Sequence, residues 1–244
     1  MPDVIQLTYI DYGLMVLIAL GLPIKSFWAH KRFERKLIAG DKTALMATYK
    51  ESMWLLWLPT ILVVAYWIFE GRSFDALGLS ISLSMAEGVG LAVTLVISAL
   101  LTAQVFQVRG NKEAAEGLMK EVESAVGVEQ IMPKTPTEYS FFKVLSITAG
   151  ITEEVLFRGY LIWAFGYFMH SAFAAVVSLA VFVLAHVYQG SKLALLKVAA
   201  TGAFITLLYM LSGSLFLAII LHAVIDLTSG ASCWHARRLT VNAT

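Results

Sequence analysis

The sequence predicts an all-α, polytopic membrane protein with about seven transmembrane helices. Three observations carry that expectation. The chain of 244 residues is 59% hydrophobic and only 14% charged, against about 25% charged for a soluble domain. Its mean hydropathy is +0.76. Several apolar runs approach the roughly 20 residues that a spanning helix needs.

Seven spans are predicted, at 9–27, 52–69, 87–108, 143–168, 171–189, 193–212 and 214–230. Lipid offers no partner for backbone amides, so each is expected to be helical. Short breaks separate the last four: His170-Ser171, Gln189-Gly190-Ser191-Lys192 and Ser212-Gly213-Ser214. Such tight hairpins place these helices beside one another. Two longer polar segments, 28–51 and 109–139, read equally well as helices on the membrane surface or as solvated connectors. One membrane domain is expected over 1–244: three spans with their loops over 1–139, a four-helix core over 140–230, and a cytosolic tail over 231–244. The opening MPDVIQLTYIDYG has no basic region before its apolar run, so no cleavable signal peptide is expected.

The basic residues give an orientation. With the N-terminus outside and seven alternating spans, sixteen of the 18 lysines and arginines fall inside or at its edge. Arg72 alone falls outside, and Arg158 belongs to neither side. This bias matches the positive-inside rule and an odd number of spans. A multi-pass plasma-membrane protein with a cytosolic C-terminus is expected, in a bacterial inner membrane. Net charge is only +1 and no nucleic-acid partner is expected; membrane lipid is. The single cysteine, Cys233, rules out an intrachain disulfide and a cysteine-based metal cluster.

The stretch SITAGITEEVLFRGYLIWAFGYF, residues 146–168, sets three ionisable groups in an apolar run. Each such group deep in a bilayer costs at least about 2.5–3.5 kcal/mol, so they must face the bundle interior. Glu154 and Arg158, four apart on a helix, neutralise each other. Glu153 is turned about 100° from Glu154 and needs a partner from another helix. The later spans offer His186, with Phe182 one turn before it, and then His222 and Asp226, again four apart. Singly, each of these reads as a structural pair or a packing contact. Together, six ionisable residues confined to three spans read as a functional site. In the first three spans only Asp11 and Glu87 are acidic, near the ends.

Three chemistries fit this set. A carboxylate and a histidine can deprotonate a water held between them, while a second histidine with its neighbour meets a developing oxyanion. Glu153, His186, His222 and Asp226 are also zinc ligand types, although no HExxH helix is present. Buried carboxylates and histidines also form proton relays in transporters, but matching Gly/Pro-broken helices are absent.

The motifs EEVLFRG (Glu153 to Gly159), FVLAH (Phe182 to His186) and HAVID (His222 to Asp226) resemble EExxxR, FxxxH and HxxxN/D of one family. This is the CAAX protease and bacteriocin-processing family of intramembrane endopeptidases, also called abortive-infection proteins. The resemblance spans about residues 139–230, and the earlier spans match only in general character. It implies a seven- or eight-helix fold and proteolysis near the cytosolic face. By that resemblance Glu153 is the general base, His186 orients its water, and His222 with Asp226 forms the oxyanion site. Glu154, Arg158 and Phe182 then support the site. It implies a metal-free glutamate mechanism, with zinc on Glu153, His186, His222 and Asp226 as the alternative. Asp226 stands where the eukaryotic-type prenyl proteases carry Asn, and an ionised Asp repels an oxyanion. The substrate is then a membrane-associated peptide or protein, prenylated or not. The rival functions are a non-catalytic membrane scaffold or bacteriocin-immunity-type protein and, more remotely, a proton-coupled transporter.

Overall fold

Helix capping and lipid-facing apolar surface account for most of this architecture. The computed structural model describes residues 6–80, 82 and 84–241. It is 86% helical, with no strand among the described residues.

Helix α1 runs from Tyr9 to Ile38. Thr8 and Asp11 form a capping box at its start: Thr8 N–H donates to Asp11 Oδ2 at 2.8 Å, and Thr8 Oγ1 accepts from Asp11 N–H at 3.3 Å. The π turn Leu17–Gly21 lies just ahead of Pro23, whose missing N–H breaks the α-helical ladder. Thirty residues make a rod of roughly 45 Å, longer than a roughly 30 Å hydrocarbon core. The basic stretch predicted as a surface helix or connector therefore starts as the continuation of this span. Helix α2 (Ala44–Phe69) likewise begins earlier than the predicted 52. A short 3₁₀ turn, Phe74–Leu77, leads to α3 (Met85–Gly110), capped by Ser84. The outer face of α3 exposes Val89, Leu95, Val96 and Leu100, the apolar surface that lipid requires.

Helices α4 (Lys112–Ser124) and α5 (Val126–Ile131) occupy the second polar segment. Ala115 and Met119 of α4 are buried in one apolar cluster with Cys233 and Ala236. A continuous helical rod, α6, spans 136–165. It opens with a capping box between Thr135 and Glu138, runs as α-helix over Pro136–Glu153, widens to a π turn over Glu154–Leu161, and closes over Ile162–Phe165. Helices α7 (Ser171–Ala185), α8 (Lys192–Ser212) and α9 (Leu215–Val241) follow. The residues expected as a tail from 231 continue α9 as far as Val241; 242–244 lie outside the described residues.

Among the described residues six helices are long and apolar enough to cross a membrane: α1, α2, α3, α8, α9 and the segment Ser171–Gln189. The remaining predicted span, 143–168, coincides with α6. It is helical, but its charged residues and change of register set it apart.

The principal core joins α1, α2, the 3₁₀ turn, α6 and α7 through Ile18, Trp67, Leu77, Leu156, Phe157, Tyr160 and Phe182. Two close approaches fix the frame. A Cβ on Gly78, at φ +74°, would lie 2.7 Å from Gly213 O; here Leu215 N–H donates to Gly78 O at 2.8 Å. A Cβ on Gly150 would lie 2.8 Å from Ala223 Cβ, so α6 and α9 meet backbone to backbone just before Glu153.

Candidate active site

Helix α6 supplies Glu153, Glu154 and Arg158, and every residue of its π turn is buried. π turns cluster at functional sites. Arg158 Nη1 donates to Glu154 Oε1 at 3.0 Å, Nε to Thr206 Oγ1 at 3.2 Å and Nη2 to Gly202 O at 3.1 Å. Its Cζ lies 4.2 Å from the centre of the Phe182 ring. The guanidinium is thus held on every side by α6, α7 and α8. Gly202 permits this, because a Cβ there would sit 3.2 Å from Arg158 Nη2 and 3.1 Å from Phe182.

The Glu154–Arg158 pair is not closed on itself. His222 Nδ1 lies 2.6 Å from the same Glu154 oxygen. A carboxylate only accepts, so Nδ1 carries a proton. His222 Nε2 then faces Glu153 Oε2 at 3.9 Å and Asp226 Oδ2 at 3.8 Å. Oε2 of Glu153 and Oε2 of Glu154 are both buried with no hydrogen-bond partner among the described residues. Buried lone pairs of this kind are costly, and Glu153 lines a cavity from which a polar ligand can reach it.

His186 caps α7, with Nδ1 2.8 Å from Phe182 O and its ring 4.6 Å from the Phe182 ring. A backbone carbonyl also only accepts, so Nδ1 is the protonated nitrogen and Nε2 of the neutral ring is free to accept. His186 makes no ion pair among the described residues, but it lines the same cavity as Glu153, His222 and Asp226. That cavity, of about 430 Å³, has apolar walls from Leu55, Leu145, Val198 and Ile205. It reaches the basic end of the bundle at His30, Gln189, Glu121 and Lys197, where Lys197 and Glu121 form an ion pair. Among the described residues no group of three His, Cys, Asp or Glu is arranged to hold a metal ion.

The structure thus brings Glu153, Phe182, His186, His222 and Asp226 to one cavity, with Glu154 and Arg158 behind it. Sequence reasoning missed Gly202, Thr206 and Tyr188, the last of which lines the cavity from the turn after His186. It also missed a second buried charge pair. Arg72, read from sequence as the one cation outside, is 6% exposed and binds fully buried Asp11 through two 2.7 Å hydrogen bonds. Tyr66, Trp67 and Trp163 surround its guanidinium, and Tyr160 of α6 donates to Asp11 Oδ1 at 3.2 Å. The position of Asp11 near a helix start concealed this role.

Residues 135–228 match the family model described as type II CAAX prenyl endopeptidase Rce1-like. Over this segment the chain is similar to the CAAX protease family. The match covers α6, α7, the turn after it, α8 and the first half of α9, which together carry Glu153, Glu154, Arg158, Phe182, His186, Thr206, His222 and Asp226. The CAAX protease family is a peptidase family, and the helices make the chain a multi-pass membrane protein. No curated protein and no solved structure matches the chain significantly.

Proposed function

We propose that the chain is an intramembrane endopeptidase that hydrolyses a peptide bond of a membrane-associated peptide or protein with water activated by Glu153. The observation that carries this reading is the Glu153 carboxylate. It is buried, its Oε2 has no hydrogen-bond partner among the described residues, and it lines the same cavity as His186, whose Nε2 is free to accept. A water held between Glu153 and His186 Nε2 loses its proton to Glu153 as its oxygen attacks the scissile carbonyl carbon. The carbonyl electron pair moves to oxygen, and His222 faces the charge. Glu153 then passes the proton to the departing amine as the C–N bond breaks.

Glu154 and Arg158 act from behind. Their pair keeps a guanidinium tolerable in an apolar bundle and sets the proton of His222 on Nδ1. The route is written without a metal ion, and zinc on Glu153, His186, His222 and Asp226 is the alternative that the chelator test addresses. The basic end of the cavity is read as the cytosolic mouth, on the charge bias of the loops.

The test compares peptide termini in membranes from cells making wild-type protein or Glu153→Gln at equal levels. Termini that appear only with the wild type, and persist under a chelator, are expected. Identical termini with a folded variant would move the reading to a scaffold. Activity lost on chelation and restored by zinc would replace the metal-free route.

A further inference from the structure

The basic end of the bundle carries charge that the Glu153 cavity does not use. Arg32, Lys112, Lys134, Lys197 and Arg237 each pair with a glutamate there. Arg109, Lys143 and Arg238 are exposed, and none of the three has a carboxylate within ion-pair distance among the described residues. Two of them are seated on aromatic rings instead. Lys143 Nζ lies 5.0 Å from the centre of the Tyr139 ring, and Arg238 Cζ lies 5.6 Å from that of Trp234. Tyr139 and Trp234 stack, with ring centres 5.3 Å apart and planes at 11°, and Trp234 is buried. An aromatic face holds a cation in place without neutralising it.

These cations surround one outward strip of α9. At about 100° per residue, Trp234 and Arg238 fall on the side of α9 that meets α6, and Cys233 and Ala236 on the side that packs with Val108 of α3. Ala231 and His235 lie between those two sides, and both are partly exposed. Arg109 follows Val108 in the last turn of α3, and Arg109 and Arg238 are both within electrostatic range of His235. Arg109 and Arg238 gain from the dipoles of the helix ends that they occupy, whereas Lys143, near the start of α6, does not. The patch thus runs from α6 across α9 to α3. One turn deeper into the bundle, Ile147 follows Lys143 and Phe106 precedes Arg109, and both are exposed. None of Arg109, Lys143, Trp234, His235 and Arg238 lines the Glu153 cavity.

We propose that this patch binds the headgroup phosphate of an anionic phospholipid, with the acyl chains against Phe106, Ile147 and the α9 strip between them. Charge and apolar surface together select that occupant. The cations stand beside Tyr139 and Trp234, the residue types that mark a membrane interface, and unneutralised lysine and arginine at such an interface attract anionic headgroups. Apolar side chains then continue the patch toward the middle of the bilayer. A soluble anion uses the charge but has nothing to set against the apolar surface. A lipid held there joins α3, α6 and α9, two of which carry Glu153 and His222. Binding at this patch needs no peptidase activity and is read without a substrate.

The detergent-purified full chain is titrated with dioleoyl phosphatidylglycerol or dioleoyl phosphatidylcholine, and bound lipid is counted by native mass spectrometry. One tightly bound phosphatidylglycerol is expected, with phosphatidylcholine much weaker. The double variant Lys143→Ala/Arg238→Ala should weaken phosphatidylglycerol about fivefold for each cation removed and leave phosphatidylcholine unchanged. Lys36→Ala/Lys42→Ala removes two exposed cations elsewhere at the basic end and should bind as the wild type does. Equal loss in the two double variants overturns the proposal, as does equal affinity for the two lipids, or wild-type affinity in Lys143→Ala/Arg238→Ala. Displacement of the lipid by inorganic phosphate or by polyglutamate at equal concentration assigns the patch to a soluble anion or to an acidic protein, and overturns it as well. Should Lys143→Ala/Arg238→Ala misfold, Arg109→Gln changes one exposed side chain at the end of α3. It must weaken phosphatidylglycerol about fivefold, and unchanged affinity overturns the proposal.

Discussion

His222 and Glu154 are 68 residues apart in sequence and 2.6 Å apart in space. Their contact ties the third motif to the first and makes Glu154 the shared acceptor for a guanidinium and an imidazole. It also decides which histidine nitrogen is protonated, and so what His222 presents to the cavity. A carboxylate that looks like the mere counter-ion of Arg158 is the hinge of the site.

Glu154→Gln should therefore be more damaging than a broken i,i+4 pair on a surface. Arg158 is 1% exposed, and removing the carboxylate that it pairs with among the described residues leaves its charge buried. About 3–5 kcal/mol of stability should be lost. Thermal unfolding of the detergent-purified protein measures this; a variant that unfolds with the wild type would show that Thr206 and Gly202 alone satisfy the guanidinium.

Asp11 and Arg72 should show strong coupling. Either Asp11→Leu or Arg72→Met alone strands a buried charge at a cost of about 3–5 kcal/mol. The double variant removes both charges and should lose much less than the sum of the two. A double-mutant cycle on unfolding temperature reads the coupling directly, and simple additivity would mean that the two charges act independently.

Gly150→Ala places a methyl group 2.8 Å from Ala223 Cβ and 2.9 Å from Ala223 N. Backbone cannot yield as a side-chain tip does, so α6 and α9 must separate. A loss of about 1–3 kcal/mol is expected from such overpacking, together with reduced activity, because the same two helices carry Glu154 and His222. Adding Ala223→Gly should restore part of the stability, since it removes the nearest atom and leaves the backbone one. No recovery would place the strain elsewhere.

Lys197→Ala should do little. Lys197 and its partner Glu121 are both more than half exposed, and pairs of that kind contribute about 0–1 kcal/mol. Unfolding temperature should scarcely move. A larger drop would indicate that this pair holds α4 against α8 across the mouth of the cavity.

Legibility in the sequence follows the range of the interaction. The helical breaks at His170, Gln189–Ser191 and Ser212–Ser214 were readable because caps and turns act over a few residues: His170, Ser191 and Ser84 each accept a backbone N–H of the helix that they precede. The start of α1 at Tyr9 and the end of α2 at Phe69 agree with the predicted spans, whereas the extension of α1 to Ile38 and the start of α2 at Ala44 are not legible, for the complementary reason. Hydropathy stops where the hydrocarbon stops, whereas a helix continues into the headgroup region as long as its backbone bonds are satisfied.

Composition alone determined that this chain is a bundle of membrane helices, since lipid leaves a backbone no other way to pair its amides. The i,i+4 spacings determined that Glu154 meets Arg158, and clustering of charge marked three late helices as the site. Only the tertiary structure decided the rest. Asp11 meets Arg72 across 61 residues, His222 meets Glu154 across 68, and Tyr160 meets Asp11 across 149. Which buried charges become partners is set by the packing of whole helices against one another. Burial then makes every available pairing compulsory, because in an apolar interior an unpaired charge costs far more than the helix can supply.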